Sequence, residues 1–347
     1  MIIGTAKETY RADEALLTTT PQRVWMAALL AGLVALPFVF NAYWTYLACL
    51  VLINIIAATG LNVLTGYTGL VSLGHAAFMA VGAYTVAWAE RNLGTPLILN
   101  LLGGGLLAAG VGVIVGLPSL RVKGLYLAIA TIAASFILHF IFVEWHSVTG
   151  GSAGLTMQPA RVFGFELVQY RHFYWLIMPI CVLMVTAAAN LFRNRIGRAF
   201  IAIRDRDISA QVLGIPILRY KLMSFGLASF YAGVAGGLWA YFFRVVTPES
   251  FPLITSIFLL AAVIVGGMGT ILGGVIGALF MTLVPELLRF AVDFLGPVIP
   301  NAGLILSPVR TVVFGALIVG FLIFEPQGLS EIVQRIRRFF RLWPFRT

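Results

Sequence analysis

The chain reads as long apolar runs broken by short polar interruptions. From Trp25 to Ala89 there is no Asp, Glu, Lys or Arg. That run is too long for one membrane crossing and suits about three helices of roughly 20 residues each. A second uncharged run, Ser250 to Pro285, suits two shorter helices. Ten spans are predicted in all, at about 24–42, 44–64, 72–90, 97–117, 124–143, 173–192, 220–243, 253–267, 271–290 and 304–324. The longest polar interruption between two clearly apolar spans is 193–221. It carries Arg193, Arg195, Arg198, Arg204, Arg206, Arg219 and Lys221 against Asp205 and Asp207. Within it, Ala199 to Gly214 reads as a short amphipathic helix. Phe200, Ile203, Ile208, Val212 and Ile215 supply its apolar positions and Arg204 to Asp207 a charged cluster. Gly214 serves as its C-terminal stop, with Pro216 two residues later. Such a helix is too short and too charged to span a bilayer, and can lie on its surface.

Composition agrees. Of 347 residues, 60% are hydrophobic and 10% charged, where soluble domains carry about 25% charge. The net charge of +10 sits in a few loops, so it reports membrane orientation and not nucleic-acid binding. Ten spans with a cytosolic N-terminus put 118–123 (Arg121, Lys123), 193–221 and 325–347 on the cytosolic side, and 144–172 outside. The expected organisation is a cytosolic leader, 1–23, without a cleavable signal pattern; a transmembrane domain, 24–324; and a basic cytosolic tail, 325–347. Cys49 and Cys181 both lie in apolar runs and read as buried thiols, with no disulfide framework or metal site.

Several spans are interrupted. GLNVLTGYTGLVSLGHAAFMAVGAY, 60–84, concentrates Asn62, Thr65, Tyr67, Thr68, Ser72 and His75 at membrane depth. Irregular backbone there must be buried in protein or line a cavity, so these residues either border a substrate path or bond neighbouring helices. For His75, with no carboxylate nearby in sequence, a structural hydrogen bond is the stronger reading. A second glycine cluster, VIVGGMGTILGGVIGALF, matches the first at one offset: Gly66 with Gly266, Gly69 with Gly269, Gly74 with Gly274. Internal duplication and close packing through small residues both account for it. The TGGSAGLT turn, with Thr149 and Ser152, reads as an outer loop or part of a gate, and Glu286 with Arg289 as a local ion pair. The lysines are Lys7, Lys123 and Lys221, and none completes a P-loop. No nucleophile–base or paired-carboxylate site stands at membrane depth.

Four motifs occur in order: the 60–84 stretch, the TGGSAGLT turn, GRAFIAIRDRDISAQVLGI followed by KLMSFGLASFYAGVAGGLWA, and VIVGGMGTILGGVIGAL. Together they resemble the LivM-type permease subunits of branched-chain amino-acid ABC importers, over roughly 45–330. The resemblance implies an all-α membrane fold of about ten spans with broken or re-entrant helices, like the vitamin B12 and ribose-type permeases. It implies a second, LivH-like permease, two cytosolic ABC ATPases and a periplasmic binding protein as partners, in the inner membrane of a bacterium, with no cofactor. The family's ATPase-coupling segment corresponds to Arg198–Gly214, with Ile203, Arg204, Asp207, Ile208 and Ala210 between. An E-A-A-x-x-x-G pattern common there is represented by Ile208, Ser209, Ala210 and Gly214; its acidic first position is absent, with Asp207 adjacent. Asn62, Thr65, Tyr67, Ser72, His75, Thr149 and Ser152 are the candidate path residues. Urea or short amides are the alternative substrates. An ion-coupled secondary transporter, the alternative class, would want an Asp or Glu inside the runs 25–89 or 250–285, which have none.

Overall fold

A computed structural model of the chain describes residues 20–119, 124–162, 165–295, 312–316, 318–321, 323 and 328–342. Arg121, Lys123 and Arg310, most of the predicted leader and the last five residues of the tail lie outside them. The first helices are α1 (Thr20–Val39), α2 (Ala42–Asn62), α3 (His75–Leu93), α4 (Leu97–Ser119) and α5 (Leu125–Glu144). After a short α6 (His146–Thr149) come α7 (Tyr170–Arg193), α8 (Arg195–Asp205), α9 (Asp207–Val212) and α10 (Ile217–Phe243). The chain then forms α11 (Leu253–Gly266), α12 (Ile271–Leu295), an apolar helical stretch at Val312–Phe321 and α13 (Leu329–Leu342). Each predicted span meets a helix. Seven of those described are long and apolar enough to cross a membrane. The fold is that of an all-α membrane protein with broken helices.

α2, α3, α4 and α10 form the centre. Most of α2 is buried, and Phe78, Phe225, Leu238 and Tyr241 are among the fully buried side chains. In lipid, apolar side chains gain little by meeting one another, so close backbone approach matters more. Small residues supply it here. A Cβ on Gly82 would run into the Gly233 backbone, and one on Gly236 into the backbone of Met79. Close packing through glycine therefore accounts for the α3–α10 crossing.

Two helices are broken. α2 runs into a π-helical turn, Val63–Tyr67, and the chain stays non-helical from Thr68 to Gly74 before α3 begins. The predicted span 72–90 is thus helical only from His75. Backbone groups in this stretch find partners: Leu70 N–H bonds Leu64 O (3.1 Å), Leu73 N–H bonds Thr131 Oγ1 (3.0 Å) and Gly74 N–H bonds Ser72 Oγ (3.3 Å). α11 and α12 are separated by a second break, Gly267–Thr270. Gly66 lies against Gly269, whereas Ala76 N–H bonds Ser256 Oγ, 2.8 Å away, near the opposite end of α11. Ten residues of helix separate Ser256 from Gly266, so between the two breaks and α3 the chain climbs about 15 Å. That is about half of a hydrocarbon core. The first break therefore carries the chain to about mid-depth, where α3 begins.

At the far end of the helices the connections form short antiparallel strands. Leu155 pairs with Val246, and Arg161–Val162 with Phe165–Glu166. Arg161 and Glu166 are ion-paired at 2.8 Å. Arg244, with φ of 61°, donates to the carbonyls of Leu167 and Val168. Glu286 and Arg289 pair at 3.4 Å, as their spacing predicts, and Glu286 also accepts from Tyr43 Oη at 2.6 Å. Both cysteines are buried and free.

Candidate functional site

The start of α3, the middle of α5 and the start of α11 enclose a cavity of about 230 Å³. Ala76, Ala77 and Ala80 form one wall, and Ser135, Phe136, His139 and Phe142 a second. Pro248, Phe251, Pro252, Leu253 and Ser256 close the third. The lining is chiefly apolar with three polar groups, Ser135, His139 and Ser256. Its size lies below the roughly 300–1,000 Å³ of drug-sized sites and suits a small apolar solute. His139 is exposed on the outer face of α5, so a polar group at membrane depth stands open to whatever covers that face.

The residues singled out from the polar stretch do not line this cavity. Asn62 is buried and clasps the second break: Nδ2 donates to Thr270 O (2.7 Å) and Oδ1 accepts from Gly269 N–H (3.0 Å). Thr65 Oγ1 donates to Leu70 O and closes its own turn. Tyr67 is buried and stacked on Phe192. Ser72 is buried at the foot of α3. His75 is fully buried; Nε2–H donates to Ala57 O at 2.9 Å, while Nδ1 has no partner. Thr149 Oγ1 caps the end of α5 through Phe142 O (2.7 Å), and Ser152 is exposed in the following turn. His139 and Ser135 went unnoticed in the sequence, yet a signal was present. Thr131, Ser135 and His139 repeat every fourth position on an otherwise apolar helix and mark one polar stripe.

The basic interruption forms a second site. The single helix expected over Ala199–Gly214 is two, because Arg206 is extended (φ −156°, ψ 105°) between α8 and α9. Asp207 opens α9, where a negative charge suits the helix N-terminus. The break turns the apolar positions in opposite directions. Phe200 and Ile203 on α8 are buried, as is Ala210. Ile208, Val212 and Leu213 are 72%, 83% and 78% exposed, an apolar patch facing away from the helices. Arg198 bonds Arg193 O, and Asp207 stands 4.0 Å from the buried Lys221. Gly214, with φ of 82° and open space around it, ends α9 in a conformation that favours glycine. Between this segment and the first break lies a polar groove of about 510 Å³, bordered by Thr68, Gly69, Arg204, Asp207 and Lys221.

Comparison with known proteins gives the arrangement a context. Residues 43–322 match the family model described as "Branched-chain amino acid transport system / permease component". The permease protein LivM of the high-affinity branched-chain amino acid transport system of Escherichia coli is 32% identical over 341 residues, covering 91% of this chain and 77% of that protein. Its Salmonella typhimurium counterpart gives the same identity and coverage. A probable LivH permease of Methanocaldococcus jannaschii is 25% identical over 80% of this chain and 88% of its own. Among solved structures, PsaBC from Streptococcus pneumoniae in complex with Fab superposes at a TM-score of 0.44, with 15% identity over 87% of this chain and 97% of that one. By the family match and the LivM identity, the chain belongs to the branched-chain amino-acid transport permease family and is a permease subunit of an ABC importer.

Proposed function

We propose that this chain forms half of the translocation path for branched-chain or other apolar amino acids. The α3–α5–α11 cavity is its share of that path, and separate ATPases power it through the segment Arg198–Gly214. The observation that carries the proposal is the pairing of a small apolar cavity at membrane depth with an exposed apolar patch on the Arg-rich side. An apolar patch rimmed by charge is the kind of surface that a partner covers. By the positive-inside rule, Arg193, Arg195, Arg198, Arg206 and Arg219 support a cytosolic position for that side, and with it for both termini. On this assignment 24–324 is the membrane domain, and the short strand pairs at 155–156 with 245–246 and 161–162 with 165–166 face a periplasmic binding protein.

Similarity to both LivM and LivH relatives supports a second, homologous permease as the neighbour. That neighbour closes the cavity at the exposed His139 face of α5. Ile208 and Val212 are the docking anchors for an ATPase, in the helix-in-groove manner. A charge placed on such an anchor typically removes 2 kcal/mol or more, roughly thirtyfold in affinity. The test is Ile208→Asp in the complete importer, reading how much ATPase subunit copurifies. Loss of the ATPase with an intact permease pair is expected; full retention across Ile208→Asp and Val212→Asp refutes the docking assignment.

A further inference from the structure

The coupling segment touches the membrane-embedded breaks through one side chain. Arg204 Nη1 donates to Gly66 O at 2.9 Å, at the end of the π-helical turn. Its aliphatic stem lies on Gly69, where an added Cβ would stand 3.0 Å from Arg204 Cγ. Its guanidinium also reaches the second break, for a Cβ on Gly269 would stand 2.6 Å from Nη1. Both glycines have positive φ, 74° and 76°, so each turn presents bare backbone to the same arginine. Asn62 then bonds the first turn to the second. The neighbouring Asp205 meets Arg204 at 3.2 Å on an exposed surface, where ion pairs contribute little. The Gly66 bond is charge-assisted and the stronger one.

We propose that Arg204 is the positioning residue that makes the coupling segment and both glycine turns move as one body. This rests on the assignment of 198–214 to ATPase coupling, and goes beyond it by giving Arg204 an inward role instead of a docking one. α3 begins six residues after Gly69, and its first turn forms a cavity wall through Ala76 and Ala77. A displacement of α8 carried by Arg204 into the Gly66–Gly69 turn therefore reaches that wall through a short stretch of mostly non-helical chain. Lysine at 204 keeps a donor for Gly66 O but lacks the planar guanidinium that lies against both turns.

The test uses the complete importer with Cys49 and Cys181 replaced by alanine and a reporter Ala77→Cys in the cavity wall. The readouts are ATPase copurification and the change in labelling rate by a small aqueous thiol reagent when ATP is added. With Arg204 present, ATP changes the rate. Arg204→Ala shrinks that ATP effect by roughly tenfold, the scale of one lost charge-assisted bond, while ATPase copurification stays normal; Arg204→Lys falls between. A Cβ on Gly69 lies 3.5 Å from Arg204 Cβ, within reach of a disulfide. Gly69→Cys with Arg204→Cys therefore restores the ATP effect when oxidised and loses it when reduced. An undiminished ATP effect in Arg204→Ala overturns the inference, as does an oxidised pair that fails to restore it, or an Ala77→Cys rate indifferent to ATP with Arg204 intact. Loss of the ATPase in Arg204→Ala overturns it too, by making Arg204 a docking residue. Retention of the ATPase by Ile208→Asp counts against the docking reading alone.

Discussion

Asn62 offers the sharpest test of how the two breaks are held. Its amide makes two bonds from the end of the first broken helix to the second break: 2.7 Å to Thr270 O and 3.0 Å from Gly269 N–H. Asn62→Leu keeps the volume and removes both. The two losses are unequal. Thr270 O retains the Gly274 N–H of α12 at 3.3 Å, whereas no other acceptor serves Gly269 N–H among the described residues. A buried donor left without a partner costs about 1–3 kcal/mol. Interhelical bonds in membranes average only about 0.6 kcal/mol, with a maximum near 1.7, because an unfolded helix finds substitutes. A turn at the end of a helix has few substitutes, so the donor falls at the upper end, and Thr270 O adds a few tenths. The expected destabilisation is about 2 kcal/mol. Reversible unfolding of the purified chain by dodecyl sulfate in mixed micelles, followed by tryptophan fluorescence, measures it. A stability within about 0.5 kcal/mol of the parent for Asn62→Leu, the ordinary range for surface changes, would remove the clasp from the account.

Two further outcomes are expected. Gly236→Val drives a side chain into the Met79 backbone and should abolish monodisperse protein in detergent, whereas Gly110→Ala, with open space around it, should leave yield and stability unchanged or slightly raised; equal yields for both would refute the glycine-contact account of α3 on α10. Gly69→Ala and Gly269→Ala each force a side chain into positive φ against Arg204, and each should lower stability by about 1–2 kcal/mol in the same micelle titration; parent-like stability of either would show that its turn relaxes freely.

The helices were legible because lipid demands long apolar runs, and the runs from 24 to 290 each predicted a helix within a few residues. The first break was legible too, since Gly66, Gly69 and Gly74 crowd a polar segment inside an apolar one. What that segment does with its polar groups was not. Asn62, Thr65 and Ser72 spend their hydrogen bonds on backbone, because irregular chain at membrane depth has orphan N–H and C=O groups to satisfy first. The cavity belongs to their neighbours, Ala76, Ala77 and Ala80, whose small side chains leave the space. Its other walls come from residues about 60 and 180 positions further on, which no local pattern joins. The split of the coupling helix at Arg206 was hidden for a related reason. Periodicity over Phe200, Ile203, Ile208 and Val212 suits one helix, and only the tertiary position of Arg204 shows that the two halves face different partners.

The glycines matched at one offset can now be weighed between packing and duplication. Close packing asks only for a missing side chain, and Gly82, Gly233 and Gly236 meet that need inside helices with ordinary backbone. Gly69 and Gly269 are different: both sit in the left-handed region, at φ 74° and 76°, three residues after Gly66 and Gly266. Gly66 and Gly266 each stand at the end of a helix that precedes a break; Gly74 lies just before the helix that follows, and Gly274 in the first turn of its own. Packing does not explain why a helix end and a left-handed residue recur in one register, whereas two copies of one ancestral turn do. The copies have since diverged. The first turn is followed by a climb of about 15 Å to its helix, and the second by a helix that starts two residues later. That difference places a cavity wall at the end of the first copy alone, while leaving both turns close enough for Asn62 to bond them and for one arginine to touch both.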